Sequence, residues 1–253
     1  MPIFSWCGSD DTADIVLPTY DLTEATLEMM GRVSLDILSV QSNNEIPWNK
    51  KKNKLFWRGR DSRSERLDLI KIGRENPNLF NVSLTNFFFF KDEEKEYGPK
   101  TKHISFFKFF DYKYQLNIDG TVASYRFPYL LAGNGVVLKQ ESPYYEFFYK
   151  ELQPNVHYVP VKRDLSDLVE KINWAKENDK QMREISLAGR RFAQENLLPV
   201  DVYCYHTVLF NKWSKLLKTK VKVRPGMELI PVQENEKRFG DCKCHRINKH
   251  DEL

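Results

Sequence analysis

The sequence predicts an α/β protein built on a mainly parallel sheet. Short apolar runs with the character of strands alternate with amphipathic helical stretches along most of the chain. Two strand-to-helix turns also carry glycine, arginine and hydroxyl residues, where open parallel sheets bind ligands beyond the carboxyl ends of their strands. With 253 residues, 41% of them hydrophobic and 13% aromatic, the chain can bury a sizeable core and is not a disordered tail.

In chain order, the stretch to Asp21 is irregular and rich in Asp, Ser and Thr. Leu22 to Val40 carries Leu27, Met30, Val33, Leu35, Ile37 and Leu38 at spacings that suit an amphipathic helix, with Thr23 as its N-cap. Lys50-Lys51-Lys52 is expected to be a solvated loop. Lys54 to Trp57 reads as a short buried strand, Arg58 to Ser62 as a loop and Ser64 to Ile70 as a helix. Tyr112 to Ile118 is a second strand, followed by a loop to Ser124 and a helix from Tyr125 to Leu131, with Pro128 in its first turn. Gly135 to Lys139 and His157 to Val161 are further strands, and Ser166 to Asn178 and Lys180 to Asn196 are helices. From Lys222 the chain turns polar, as a surface tail would.

The net charge of +4 is too small to imply nucleic-acid binding by itself. No apolar run approaches the roughly 20 residues that span a bilayer. Cys242-Lys243-Cys244 followed by His245 offers half a metal site at most, and no second Cys-x-x-Cys completes it, so disulfides are the better expectation for Cys7, Cys204, Cys242 and Cys244. His103, His157 and His206 are isolated and expected to be structural.

The chemistry concentrates at the two turns. Arg58, Arg60, Arg63 and Arg66 fall within nine residues around Gly59, whose missing side chain lets a ligand approach the backbone. Each hydrogen bond from such an arginine to a phosphate is worth about 1.5–3 kcal/mol. The competing arrangement is surface pairing with Asp61, Glu65 and Asp68. The second turn, Gly120 with Thr121, Val122, Ala123, Ser124, Tyr125 and Arg126, offers backbone N–H groups, hydroxyls and an arginine at a helix start, which suit an anion. Glu146, an acid among aromatics, either accepts from a ribose or pairs with a lysine. Phe87 to Phe90 is expected to be core rather than a sugar platform.

The two ends of the chain carry different signals. His250-Asp251-Glu252-Leu253 is the retrieval signal of soluble proteins of the endoplasmic reticulum, and Asn81-Val82-Ser83 is a glycosylation acceptor triplet, so the lumen is the expected location. Met1 to Trp6 lacks the basic and apolar regions of a signal peptide, and the chain therefore reads as the C-terminal part of a longer protein.

Phe56-Trp57-Arg58-Gly59-Arg60-Asp61-Ser62, the run Asn117 to Arg126, and Glu146-Phe147-Phe148-Tyr149 with His157 to Lys162 resemble the Rumi-type protein O-glucosyltransferases. Leu84 to Phe90 and the C-terminal tetrapeptide are similar to the KDEL-motif-containing branch. The resemblance implies the C-terminal, donor-binding, Rossmann-like half of a GT-B glycosyltransferase. Residues 46–221 would form that domain, residues 1–45 the remnant of an inter-domain and acceptor-side region, and residues 222–253 a tail. It further implies inverting transfer of glucose from UDP-glucose, or xylose from UDP-xylose, to serine of EGF-like repeats, with no metal and no other cofactor. Tyr20, Arg60, Arg66, Arg126 and the loop Thr121 to Ser124 correspond to donor-contacting positions. At Arg60 the chain departs from relatives that have Arg-Gly-Ser. The general base required for inversion is an Asp expected upstream of this chain, and Asp10, Asp11, Asp14 and Asp21 do not match its motif. The partners implied are the UDP-sugar, the EGF-like acceptor and the retrieval receptor. The alternatives are a lumenal donor-binding protein without activity and a cytosolic, mislocalised product.

Overall fold

A computed structural model describes residues 3–27, 37–42, 46–218 and 222–228. Strands are β1 (Phe4–Ser5), β2 (Gly8–Ser9), β3 (Ile15–Val16), β4 (Lys52–Arg60), β5 (Phe80–Asn86), β6 (Tyr112–Asn117), β7 (Val136–Gln140), β8 (Tyr144–Tyr145) and β9 (Val159–Val161). Helices are α1 (Tyr20–Leu27), α2 (Ile37–Ser42), α3 (Ser64–Glu75), α4 (Glu94–Tyr97), α5 (Phe127–Ala132), α6 (Leu168–Glu177), α7 (Asp179–Asn196) and α8 (Pro199–Leu216).

The central sheet has five strands in the order β5-β4-β6-β7-β9, and every pairing in it is parallel. Parallel strands need helical crossovers that cover the faces, and residue alternation divides the core accordingly. Leu55, Trp57, Leu116 and Leu138 pack on one face with Leu69 and Ile70 of α3 and with Leu168 and Ile172 of α6. Phe56 and Val137 point to the other face, against Leu130 and Leu131 of α5 and Phe192 of α7. Met182, Ile185, Ser186, Gly189, Phe192 and Ala193 give α7 a buried stripe at helical spacing.

Five expectations change. Lys50-Lys51-Lys52 is not a solvated loop: Lys52 opens β4, and Lys51 is buried with its ammonium donating to the Phe110 carbonyl. Arg58, Gly59 and Arg60 form the end of β4, not a loop, because β5 pairs with them out to Arg60 opposite Asn86. β5 itself was not anticipated, since its Asn, Ser and Thr residues mask its pattern as a partly exposed edge strand. α8 was also missed; Pro199 opens it, and Asp201 Oδ2 accepts from the Leu198 N–H at 3.0 Å. Thr23 is not an N-cap, because α1 already begins at Tyr20 and the Thr23 N–H bonds to the Thr19 carbonyl. The expected helix from Leu22 to Val40 is seen as α1 and the start of α2, and residues 28–36 lie outside the described residues.

The N-terminal segment packs onto the domain. β2 pairs antiparallel with β8, and the Tyr205 hydroxyl of α8 donates to the Val16 carbonyl at 2.7 Å. Cys204 on α8 is disulfide-bonded and Cys7 is a free thiol, while Cys242, Cys244 and the C-terminal tetrapeptide lie outside the described residues. No helix among the described residues is long and apolar enough to cross a membrane.

Asp61, fully buried just past β4, accepts from the backbone N–H groups of Phe88, Phe89 and Phe90 at 2.6–2.9 Å. The aromatic run is thereby split: Phe87 is buried and Phe90 packs on the core, whereas Phe88 and Phe89 are 57% and 53% exposed. Asp61→Ala removes the acceptor from three N–H groups at once and should cost about 2–4 kcal/mol in chemical denaturation. Hydrogen exchange at Phe88 to Phe90 should accelerate in that variant; unchanged protection there would contradict the role given to the carboxylate.

Candidate functional site

Beyond the carboxyl ends of β4 and β6 lies a cleft of about 780 Å³, within the range of pockets that hold drug-sized ligands. Its cationic floor comes from Arg58, Gly59 and Arg60 of β4, Ser62, Arg66 of α3, and the loop Gly120 to Arg126. Gly59 is needed for packing as well as access, because a Cβ there would meet the Trp57 ring at 2.5 Å. The loop is fixed from two sides. The Asp119 N–H donates to Gln140 Oε1 at 2.9 Å, and its carboxylate accepts from the Ser142 hydroxyl at 2.6 Å. Burial raises the Asp119 pKa above the usual carboxylate range.

Arg66 is buried and donates to the carbonyls of Asp119 at 2.7 Å, Arg60 at 2.9 Å and Ile118 at 3.1 Å, and to the Ser62 hydroxyl at 3.3 Å. Desolvation, with the nearby Arg126 adding to it, lowers its pKa to about 9, against the opposing pull of Asp119. Arg126 donates to the Arg58 carbonyl at 2.6 Å and lies over the Phe109 ring; burial lowers its pKa to about 10. Both groups stay charged at neutral pH, and both are cations short of solvent, which an anion in the cleft would relieve. Arg60 is exposed, and among the described residues its side chain carries no hydrogen bond or ion pair. Arg58 is spent on β5, with its guanidinium at 2.8 Å from the Asn81 carbonyl and 2.7 Å from Asn81 Oδ1. Arg63 pairs with Glu65 at 3.8 Å and lies outside the cleft, so the competing surface arrangement holds for that arginine.

The structure thus brings Arg60, Arg66, Thr121, Val122, Ala123, Ser124, Tyr125 and Arg126 to one cleft. Tyr20 stands beside it, 56% exposed at the start of α1, one residue before the lining Asp21. Glu146 is not in the lining. It is fully enclosed and accepts from the Tyr149 hydroxyl at 3.2 Å, and Lys139 favours its charged form across space. Asn81 is the second residue of β5 rather than part of a loop, and its amide nitrogen donates to the Tyr112 hydroxyl at 2.6 Å. A glycan there would have to displace that bond.

Sequence reasoning missed Asp21, Glu24 and Ala25 of α1, and Thr85, Ile104, Phe106, Phe109 and Tyr129. His103, expected to be structural, is exposed in the cleft wall. The other two histidines are structural: His157 Nδ1 accepts from the Gln153 N–H at 3.0 Å, and His206 Nδ1 lies 2.8 Å from the Val202 carbonyl. Among the described residues, no three His, Cys, Asp or Glu side chains gather as a metal site.

A doubly covered parallel sheet with a cleft beyond the carboxyl ends of its strands is the arrangement of a Rossmann-like half. The chain belongs to glycosyl transferase family 90, whose model matches residues 1–248. It is 58% identical over 252 residues to protein O-glucosyltransferase 2 of Danio rerio, covering 100% of this chain and 50% of that protein. It is 51% identical to protein O-glucosyltransferase 3 of Homo sapiens, covering 97% and 48%, and 32% identical to human protein O-glucosyltransferase 1, covering 91% and 61%. The chain spans about half the length of the first two. Among solved structures, sucrose-phosphate synthase from Thermosynechococcus elongatus superposes with a TM-score of 0.51 at 12% identity, covering 81% of this chain and 60% of that one. That likeness concerns the fold, which is a Rossmann-like half of the GT-B kind.

Burial raises the Glu146 pKa to about 8. In the unfolded chain the group ionises near 4.5, so between those two values folding takes up a proton and stability falls as pH rises. Glu146→Gln keeps an acceptor for Tyr149 and removes the titration. Denaturation from pH 5 to pH 8 should show the unsubstituted chain losing on the order of a few kcal/mol and the variant nearly flat. Equal slopes for the two would show that Glu146 ionises freely in the folded protein.

Proposed function

We propose that this chain is the donor-binding half of an inverting protein O-glucosyltransferase, which transfers glucose, or xylose, from a UDP-sugar to serine of EGF-like repeats. The observation that carries this reading is the cationic cleft at the ends of β4 and β6, in a chain belonging to a glycosyltransferase family. The names of its relatives support a protein acceptor and glucose as the sugar.

In this reading the donor diphosphate lies on the floor made by Arg60, Arg66, Arg126 and the loop Thr121 to Ser124, with Tyr20 at the acceptor side. When the sugar leaves, negative charge builds on the UDP oxygen. Guanidinium groups already held in a partly desolvated floor stabilise that charge without reorganising. They do the work that a divalent ion does elsewhere, so the reaction needs no metal or other cofactor. The base that takes the serine proton is assigned to the part of the relatives that precedes this segment. Glu146 acts beneath the cleft as scaffold and not as a ribose ligand. The retrieval tetrapeptide His250 to Leu253 supports a place in the lumen of the endoplasmic reticulum and recognition by its receptor.

Titration with UDP tests the floor. Arg126→Ala should weaken binding by about 1.5–3 kcal/mol, the worth of one charged hydrogen bond; unchanged affinity would remove Arg126 from the site. Transfer to a folded EGF-like repeat, assayed with and without EDTA, should be indifferent to the chelator. Activity lost to EDTA and regained with Mn²⁺ would overturn the metal-free mechanism.

A further inference from the structure

We propose that residues 7–9 form a strap that positions the donor floor from outside the cleft, acting on Asp119 through Ser142 and on Tyr125 through Cys7. The inference rests on the donor reading above and adds to it a set of positioning residues. Neither residues 7–9 nor Ser142 line the cleft.

The loop Gly120 to Arg126 belongs to no helix or strand until α5 begins at Phe127. Groups that meet residues 7–9 hold it near both ends. At its start, the Ser142 hydroxyl donates to Asp119 Oδ2 at 2.6 Å and accepts from the Tyr144 N–H at 2.9 Å. That N–H aims the hydroxyl only while Tyr144 stays in place. Tyr144 opens β8, whose strand partner is β2, with Ser9 opposite Tyr144 and Gly8 opposite Tyr145. Arg63, just before α3, steadies the same side chain: it donates to the Tyr144 hydroxyl at 3.4 Å, and its guanidinium lies 5.5 Å from the ring centre. Toward the far end of the loop, Cys7 Sγ lies 3.5 Å from the Tyr125 hydroxyl. One short stretch of chain therefore bears on the loop at two separate points.

The strap is anchored away from the cleft. The Val16 carbonyl accepts from the Tyr205 hydroxyl at 2.7 Å, and the Phe4 ring meets Phe210 and Trp213 edge-on, at 5.9 and 5.5 Å between ring centres. Neither hydrophobic core cluster takes a residue from 3–16, so loosening the strap leaves the sheet and its helices packed. What it changes is the loop, because an irregular segment that a ligand must first order binds more weakly than one already set. The coupling is reciprocal: a ligand that favours the set loop also favours the strap in place.

UDP titration and hydrogen exchange on the full chain test the strap. Ser142→Ala removes the hydroxyl that joins Asp119 to Tyr144 and should weaken UDP about fivefold. Ser142→Thr keeps the hydroxyl at a half-buried position and should restore the affinity. A Cβ at Gly8 would stand 2.7 Å from the Tyr145 ring, so Gly8→Val disturbs the β2–β8 pair without touching the cleft, and it should weaken UDP as Ser142→Ala does. In both weakened variants, exchange should quicken across Gly120 to Arg126 and stay unchanged in β6 and β7. In the unsubstituted chain, bound UDP should slow exchange at residues 7–9, which it does not touch. UDP affinity unmoved by Ser142→Ala and Gly8→Val, or exchange at residues 7–9 indifferent to UDP, would overturn the strap. If the unsubstituted chain does not bind UDP, the donor reading falls, and exchange across the loop decides the strap by itself: faster in both variants keeps it, unchanged ends it.

Discussion

Arg66 holds the site together. Its guanidinium reaches from α3 to the carbonyls of Arg60 at the end of β4 and of Ile118 and Asp119 just past β6. Those carbonyls lie where β4 and β6 end, and a buried carbonyl left unpaired is costly. One side chain therefore satisfies the ends of two adjacent strands and fixes the start of the Gly120 to Arg126 loop. The shape of the cleft floor follows from that brace, as does the spacing of the charges on it.

The same brace explains why the floor is electrostatically hungry. Arg66 is surrounded by carbonyl dipoles, and the nearest carboxylate, Asp119, faces Ser142 and Arg163. Asp61, the other nearby acid, is committed to three backbone N–H groups of the aromatic run. Neither acid forms an ion pair with Arg66 or Arg126 among the described residues. Buried cations in native proteins are usually paired. Here the acids that could neutralise them are held on neighbouring tasks, and under the proposed function the donor diphosphate is the compensating anion.

Much of this was legible in the sequence, for identifiable reasons. β7 and β9 show the short apolar runs Val136 to Leu138 and Val159 to Val161, β6 alternates Tyr112, Tyr114 and Leu116 with polar residues, and α7 shows its stripe at helical spacing. The floor was legible because its residues lie in two short stretches, around Arg60 and around Arg126. The walls were not. Asp21, Thr85 and Phe106 are far apart in sequence, and each looks ordinary in its own stretch; only the folded chain brings them to one opening. β5 was hidden because an edge strand with one wet face need not be apolar. Glu146 was ambiguous between ribose and lysine because an acid among aromatics looks the same from either side; the structure turns it inward toward Tyr149 and Lys139.

The cluster of arginines that draws attention in the sequence is not a set of equivalent charges. Arg58 spends its guanidinium on Asn81 and thereby anchors the edge strand. Arg63 leaves the cleft for Glu65. Arg66 uses four of its five N–H groups on the protein, as its four hydrogen bonds count out. Arg126 gives one N–H to the Arg58 carbonyl, and Arg60 gives none to the described residues. Hydrogen-bonding capacity for a ligand therefore rises from the structural arginines to Arg126 and Arg60, while the desolvated charge is greatest at Arg66 and Arg126. A diphosphate suits that division, because two guanidinium forks can each meet one phosphate while a third cation, fixed beneath them, contributes field rather than contacts. Under the proposed function an arginine at position 60 then has a physical meaning that a serine would not: it adds an exposed guanidinium fork to a floor whose buried charges are already partly committed to the protein.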